Sequence, residues 1–289
     1  MLRRILGSGN RRARIFVGLL LVGLFCLQCI GPGGDHTVVQ IAQAIGDQET
    51  PEQAAAKARK LAATDHVALL EYCLSHYQKR SGDFRCTFVK QERIGGKIGA
   101  EQEVAVKFRR TPFSVAMAWT NNPPQGDRVL FLEGKYDNQM LIRPTNKLAQ
   151  ALAPTVLRPV DGDEARRNAL RTVNQFGFER SLQSLIDVYK QARALGDSKE
   201  ELQADSDVLG RRTYTLVRYL PEGKDYPAYE TRIYVDQETL LPIMVEGCGP
   251  RGMQLDFLCR YLYKDVDFKV NWKDEDFLPE KNDLVTPKP

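Results

Sequence analysis

Residues 84–120 read FRCTFVKQERIGGKIGAEQEVAVKFRRTPFSVAMAWT, and their period decides the fold. Apolar and polar residues alternate, which is the signature of strands with one covered face. Residues 84–94 make the first predicted strand, Gly95 to Gly99 a turn, and residues 101–110 the return strand. On that return strand Val104, Val106 and Phe108 share one face, and Glu103, Ala105, Lys107 and Arg109 share the other. Residues 113–120 then set Phe113, Val115, Met117 and Trp119 against Ser114, Ala116, Ala118 and Thr120. One face of this strand is bulky, and the other lets a neighbouring segment approach closely.

Working outward, residues 121–127 hold two prolines and a glycine and read as a loop, followed by strands over 128–133 and 136–143. Residues 146–178 form a Pro-punctuated middle section, and residues 179–195 a helix with Leu182, Leu185, Ile186 and Tyr189 on one face. Strands resume over 211–220, 229–236, 240–247 and 253–263. In the last, Met253, Leu255, Phe257, Cys259, Tyr261 and Tyr263 are expected on a single covered face. Upstream, residues 50–80 are rich in helix formers, with Thr50 as cap, Pro51 in the first turn and a break near Thr64-Asp65. The predicted class is α+β: a curved antiparallel sheet, an open or incomplete β-barrel, with helices covering its concave face.

The 289 residues carry 41 basic and 37 acidic side chains. Arg3, Arg4, Arg11, Arg12 and Arg14 all precede an apolar run at residues 15–30, and without them 36 basic residues face 37 acidic ones. The body is therefore near neutral, which speaks against a nucleic-acid partner. Arginines followed by IFVGLLLVGLFCLQCI have the layout of an export signal. Residues 1–34 are read as a signal peptide or N-terminal membrane anchor, 35–50 as a linker, 51–280 as one domain and 281–289 as a tail. Cleavage near Ala42-Gln43-Ala44 and retention as a tilted inner-membrane anchor both fit the leader, and either exports the body to the periplasm or cell envelope. Cys73, Cys86, Cys248 and Cys259 are an even number in a compartment that permits disulfides. Three pairings are compatible with their spacing; Cys73 with Cys86 would tie the helical region to the first strand, and buried free thiols are the alternative.

Motifs for chemistry are sparse. His36, His66 and His76 have no metal-pair spacing, and no nucleophile elbow, phosphate loop or zinc-binding HExxH occurs. Asp161, Asp163 and Glu164 lack the spacing of a calcium loop and read as solvated charges. Arg166, Arg167 and Arg171 read as one solvated helix face. No metal, cofactor or enzymatic activity is expected. The positive signal is apolar: Phe88, Val104, Val106, Phe108, Val115, Met117, Trp119, Leu255, Phe257 and Tyr261 come from strands distant in sequence. They either form a plain core under the chain's own helices or line a cavity for a greasy ligand.

Residues 86–119 (CTFVKQERIGGKIGAEQEVAVKFRRTPFSVAMAW) and 129–144 (VLFLEGKYDNQMLIRP) resemble the opening of the LolA/LolB-like lipoprotein-carrier superfamily. With FGFERSLQSLIDVY (176–189), YETRIYVDQETLLPIMVE (229–246) and YLYKDVDFKVNWKDEDFLPE (261–280), the closer similarity is to the bacterial DUF1571 family, a domain of unknown function. This resemblance spans residues 69–280. It implies a LolA-like half-barrel whose hydrophobic cavity shelters a lipid or the acyl chain of a lipoprotein. Membrane contact through the N-terminal segment is read from the leader itself, and a retained anchor departs from the family's freely diffusing carrier. The alternative is an envelope structural or protein-interaction module with a self-filled core and no ligand.

Overall fold

The computed structural model describes residues 49–80, 82–251 and 254–286. The expected leader, most of the linker, His36 and Met253 lie outside them. Two helices open the fold, α1 (Pro51–Thr64) and α2 (His66–Gln78). The break between them is chemical. Asp65 takes an extended backbone, accepts from the Ala68 amide at 3.1 Å to cap α2, and receives Arg193 Nη1 at 2.8 Å. At the start of α1, Thr50 and Gln53 cap each other reciprocally.

Seven strands follow: β1 (Phe84–Ile94), β2 (Lys97–Ile98), β3 (Gln102–Arg109), β4 (Ser114–Asn121), β5 (Gly126–Leu132), β6 (Gln139–Pro144) and β7 (Val156–Pro159). A short helix α3 (Lys147–Leu152) separates the last two, and α4 (Asp163–Asn168) comes after them. The long helix α5 (Phe178–Ala194) leads to β8 (Lys199–Val208), β9 (Arg211–Tyr219), β10 (Glu230–Asp236), β11 (Pro242–Arg251) and β12 (Gln254–Asp267). All twelve join one antiparallel sheet in the order β7-β6-β5-β4-β3-β1-β12-β11-β10-β9-β8, with β2 a side hairpin on β1. β7 and β8 are unpaired edges, so the sheet curves without closing. This is the open, helix-covered α+β architecture that the alternation predicts.

Elements in three regions of the chain were not anticipated. β8, KEELQADSDV, carries few apolar residues because it is a largely exposed edge, where charge protects against further strand pairing. The middle section supplies β7 with α3 and α4, each only four to six residues long and too short to show a period. After β12, two 3-10 turns (Asp274–Phe277 and Pro279–Asn282) fold back on the outer face of the sheet. There Phe277 and Leu284 pack with Ala116, Leu130 and Leu141, so the small-residue face of β4 is what lets this segment come close. Residues 281–286, expected within a tail, thus include the buried Leu284.

The concave face is covered in two parts. Over β9, β10 and β11, helices α1, α2 and α5 bury Leu69, Leu70, Leu182, Leu185, Ile186 and Tyr189 against Tyr214, Leu216, Ile233 and Val235. Over β1, β3, β4 and β12 lies an aromatic cluster in which Phe84 stacks on Phe108 at 4.7 Å and Phe178 meets Tyr263 at 4.5 Å.

No disulfide forms among the described residues, and Cys73, Cys86, Cys248 and Cys259 are free thiols, in place of the expected disulfide. Cys73 faces the helical cluster and Cys86 the aromatic one, so the two point into different parts of the interior. Cys248 and Cys259 occupy opposite faces of neighbouring strands. Burial pushes the Cys73 thiol up to about 12 and Cys259 to about 11.

The entry to α5 is Gly177, at φ +101° and ψ 157°, with Phe108 so close that a Cβ would meet its ring at 2.8 Å. Gly177→Ala is expected to lower the unfolding free energy by about 1–3 kcal/mol from backbone strain alone. Urea denaturation of the variant beside the parent measures this.

Candidate functional site

Beside the aromatic cluster, the concave face is not filled. A cavity of about 670 Å³ lies between strands β1, β3 to β6 and β12 on one side and residues 144–176 on the other. This is within the usual size range of small-molecule pockets. Its floor comes from the inward positions of paired strands: Phe88 opposite Val104, Val104 opposite Trp119, Met117 opposite Val129. Ile142, Val156, Val160, Val173, Phe176, Leu185 and Val245 complete an apolar wall. Trp119 is only partly buried, and its indole N–H donates to Gln102 Oε1 at 2.8 Å.

Five of the ten residues singled out from the sequence, Phe88, Val104, Met117, Trp119 and Tyr261, line this cavity. Val106, Phe108 and Val115 do not line it; all three are buried in the aromatic cluster, where Phe108 packs against Phe176 and Gly177 at the entry of α5. Leu255 and Phe257 do not line it, and the reason is a β-bulge. Gly247 pairs with Cys259, yet Cys248 pairs with Phe257, leaving Leu258 as an extra residue. Two positions that strict alternation puts on one face are thereby sent to opposite faces. Leu255 is 43% exposed as a result. Arg93 secures the irregularity, donating from Nε to the Phe257 carbonyl at 2.8 Å and from Nη2 to Asp256 at 2.5 Å. Gly247 leaves room for the crossing, since a Cβ there would lie 2.9 Å from Cys259 Sγ.

Five charged side chains line the cavity: Lys90, Glu92, Arg158, Glu164 and Arg171. Glu92 is buried and fully engaged. Its Oε1 accepts from the Tyr261 hydroxyl at 2.6 Å and the Leu170 amide at 3.3 Å, and its Oε2 lies 3.0 Å from Lys90 Nζ. Burial, with the Glu92 charge beside it, pushes the Tyr261 hydroxyl well above its ordinary value. Arg158 pairs with Glu164 at 2.8 Å on the exposed rim. Arg171 departs from its expected place on a solvated helix face. α4 ends at Asn168, and Arg171 turns inward, half-buried, to donate from Nη1 to Ser184 Oγ at 3.3 Å. Arg166 and Arg167 stay exposed on α4. Period-two alternation from Phe84 through Cys86 and Phe88 already puts Glu92 on the covered face of β1, whereas no pattern in the sequence marks Arg171, which only the tertiary arrangement faces into an apolar space.

Neither body histidine lines the cavity. His66 sits 4% exposed between α2 and α5, with Nδ1 3.4 Å from the Tyr189 hydroxyl and 3.8 Å from Glu200. His76 lies edge-on to Tyr72 and 3.6 Å from Glu49. Among the described residues no group of three or more His, Cys, Asp or Glu side chains converges as a metal site, and no helix is long and apolar enough to cross a membrane. Arg218, 1% exposed, lies over the Tyr189 ring at 4.4 Å and donates to Thr231 Oγ1 at 3.0 Å, while its Nε and Nη1 find no partner.

Residues 81–285 match the family described as Protein of unknown function (DUF1571). The chain belongs to the DUF1571 family. No curated protein matches it in sequence. Among solved structures, the MucA/MucB complex of Pseudomonas aeruginosa is similar at 16% identity and TM-score 0.42, covering 74% of this chain and 61% of that one. This member of DUF1571 thus spans about three-fifths of the MucB-type chain it matches. The lipoprotein LppX of Mycobacterium tuberculosis (11% identity, TM-score 0.40) covers 72% of this chain and 99% of its own. A LolA superfamily protein of Nitrosomonas europaea (9% identity, TM-score 0.31) covers 73% and 98%. These likenesses are remote, and the architecture assigned to this DUF1571 member rests on its own strand order.

Burial holds the His66 imidazole below its ordinary 6.5, and His76 shifts the same way. The unfolded chain therefore takes up protons that the folded chain refuses, so their contribution is complete above that value and is lost as pH falls below it. Chemical denaturation between about pH 7 and pH 5 should show stability falling, and His66→Gln should flatten the fall. Arg218→Met, which removes a buried cation lacking an ion-pair partner, is expected to leave stability unchanged or raise it by about 1–4 kcal/mol, read from the thermal midpoint.

Proposed function

We propose that this protein is a non-enzymatic component of the cell envelope that binds a hydrophobic ligand, a lipid or the acyl chain of a lipoprotein, in the half-barrel cavity. The observation that carries the reading is the unfilled space of about 670 Å³ with an apolar wall drawn from strands far apart in sequence. A self-filled core, as an interaction module would have, leaves no such space. Burial of hydrocarbon contributes about 0.8 kcal/mol per CH₂, so a chain of ten or more carbons is held usefully without any covalent step. The residues proposed to contact it are Phe88, Val104, Met117, Trp119 and Tyr261. Export rests on the arginines and apolar run of residues 1–30, which place the body on the far side of the membrane whether or not the leader is retained.

The test is a displacement titration with a fluorescent fatty acid. Trp119→Asp, which puts a carboxylate against the hydrocarbon, is expected to weaken uptake about tenfold or more. Phe257→Asp, on the far side of the bulge, is expected to leave uptake unchanged. Equal loss in both variants, or no saturable uptake by the parent, contradicts the assignment.

A further inference from the structure

We propose that the ligand is an amphiphile with an anionic head, a carboxylate or a phosphate, and that Arg171 receives that head. The inference rests on the reading of the cavity as a ligand site and concerns what the ligand must carry. Charge accounting on the cavity wall leads to it. Of the five charged residues there, Lys90 pairs with Glu92 at 3.0 Å and Arg158 with Glu164 at 2.8 Å. Arg171 is left over. Among the described residues its one hydrogen-bond partner is the neutral Ser184 hydroxyl, at 3.3 Å, and it forms no ion pair.

Of the two carboxylates that line the cavity, Glu92 already carries the Lys90 charge and accepts from the Tyr261 hydroxyl and the Leu170 amide, and Glu164 is paired with Arg158, so neither is hydrogen-bonded to or ion-paired with Arg171. A half-buried guanidinium facing an apolar space without a counter-ion is costly, and an anion from outside the chain removes that cost. A guanidinium also offers a planar fork that matches two oxygens of a carboxylate or phosphate, so the head gains charge-assisted hydrogen bonds as well as neutralisation. Ser184 on α5 holds the fork from one side, so the head lies near the boundary between the helix-covered half of the sheet and the open cavity, and the hydrocarbon runs along the floor formed by Val104, Met117 and Trp119.

The experiment compares dodecanoate, dodecyl phosphate and dodecanol, equal in chain length, as competitors of the neutral fluorescent probe N-phenyl-1-naphthylamine on the purified full chain. At least one anion is expected to displace the probe at about tenfold lower concentration than dodecanol, as an added charge-assisted contact implies. Which anion is the stronger identifies the source as fatty acid or phospholipid. Arg171→Met should erase this preference while probe and dodecanol binding persist, the persistence showing that the variant is folded. Arg171→Lys should keep the preference in part. Equal displacement by dodecanol and both anions in the parent, or a preference that survives in Arg171→Met, overturns the head-group assignment and leaves the hydrocarbon-binding reading standing. Absence of probe binding in the parent overturns both.

Discussion

An antiparallel sheet of twelve strands that curves without closing has one large apolar face that must be kept from water, and the rest of this structure follows from how that face is covered. Helices α1, α2 and α5 suffice for the half made by β9 to β11, where Leu182, Ile186 and Tyr189 sink into the sheet with almost no exposure. The other half is covered by residues 144–176, whose two helices are six residues each and cannot present a comparable apolar stripe. Cover without filling is the physical origin of the cavity. The outer face is solved differently: Ala116 lets Phe277 and Leu284 approach closely, and the C-terminal turns are fixed there by Arg109 on Asp274 at 2.6 Å and Trp272 on the Phe84 carbonyl at 3.3 Å.

The cavity owes its boundary to local irregularities as much as to pattern. The bulge at Leu258 turns the distal end of β12 over, so that Tyr261 and Tyr263 face inward while Phe257 faces away. Gly177 performs the equivalent service at the entry of α5, where its positive φ and missing Cβ let the chain press on Phe108. Phe108 and Val115 belong to the buried aromatic cluster beside the cavity and do not line it.

Polar groups inside follow the rule that a buried charge needs a partner. Glu92 obeys it fully, with Lys90, Tyr261 and the Leu170 amide around it. Arg218 obeys it in part through Thr231 and the face of Tyr189. Arg171 sits on the cavity side of the same interior with the neutral Ser184 as its partner. The contrast gives the cavity wall a chemical direction: apolar along the floor, cationic at one place.

The sequence by itself determined the class and most of the elements. Period-two alternation over residues 84–120 is imposed by strand geometry and survives any packing detail, and the four-residue face of Leu182, Leu185, Ile186 and Tyr189 is equally local. The break at Asp65 was legible because a capping carboxylate is a local signal. What only the tertiary structure decided are matters of register and distance. A bulge adds one residue and reverses a face without altering composition, so Leu255 and Phe257 read as inward from the sequence and lie outward in the fold. Edge strand β8 carries charge where a central strand would carry valine. Arg171 looks like any arginine after a charged helix until the chain folds back and sets it against an apolar wall, because the cost of a charge depends on its surroundings and not on its neighbours in the chain.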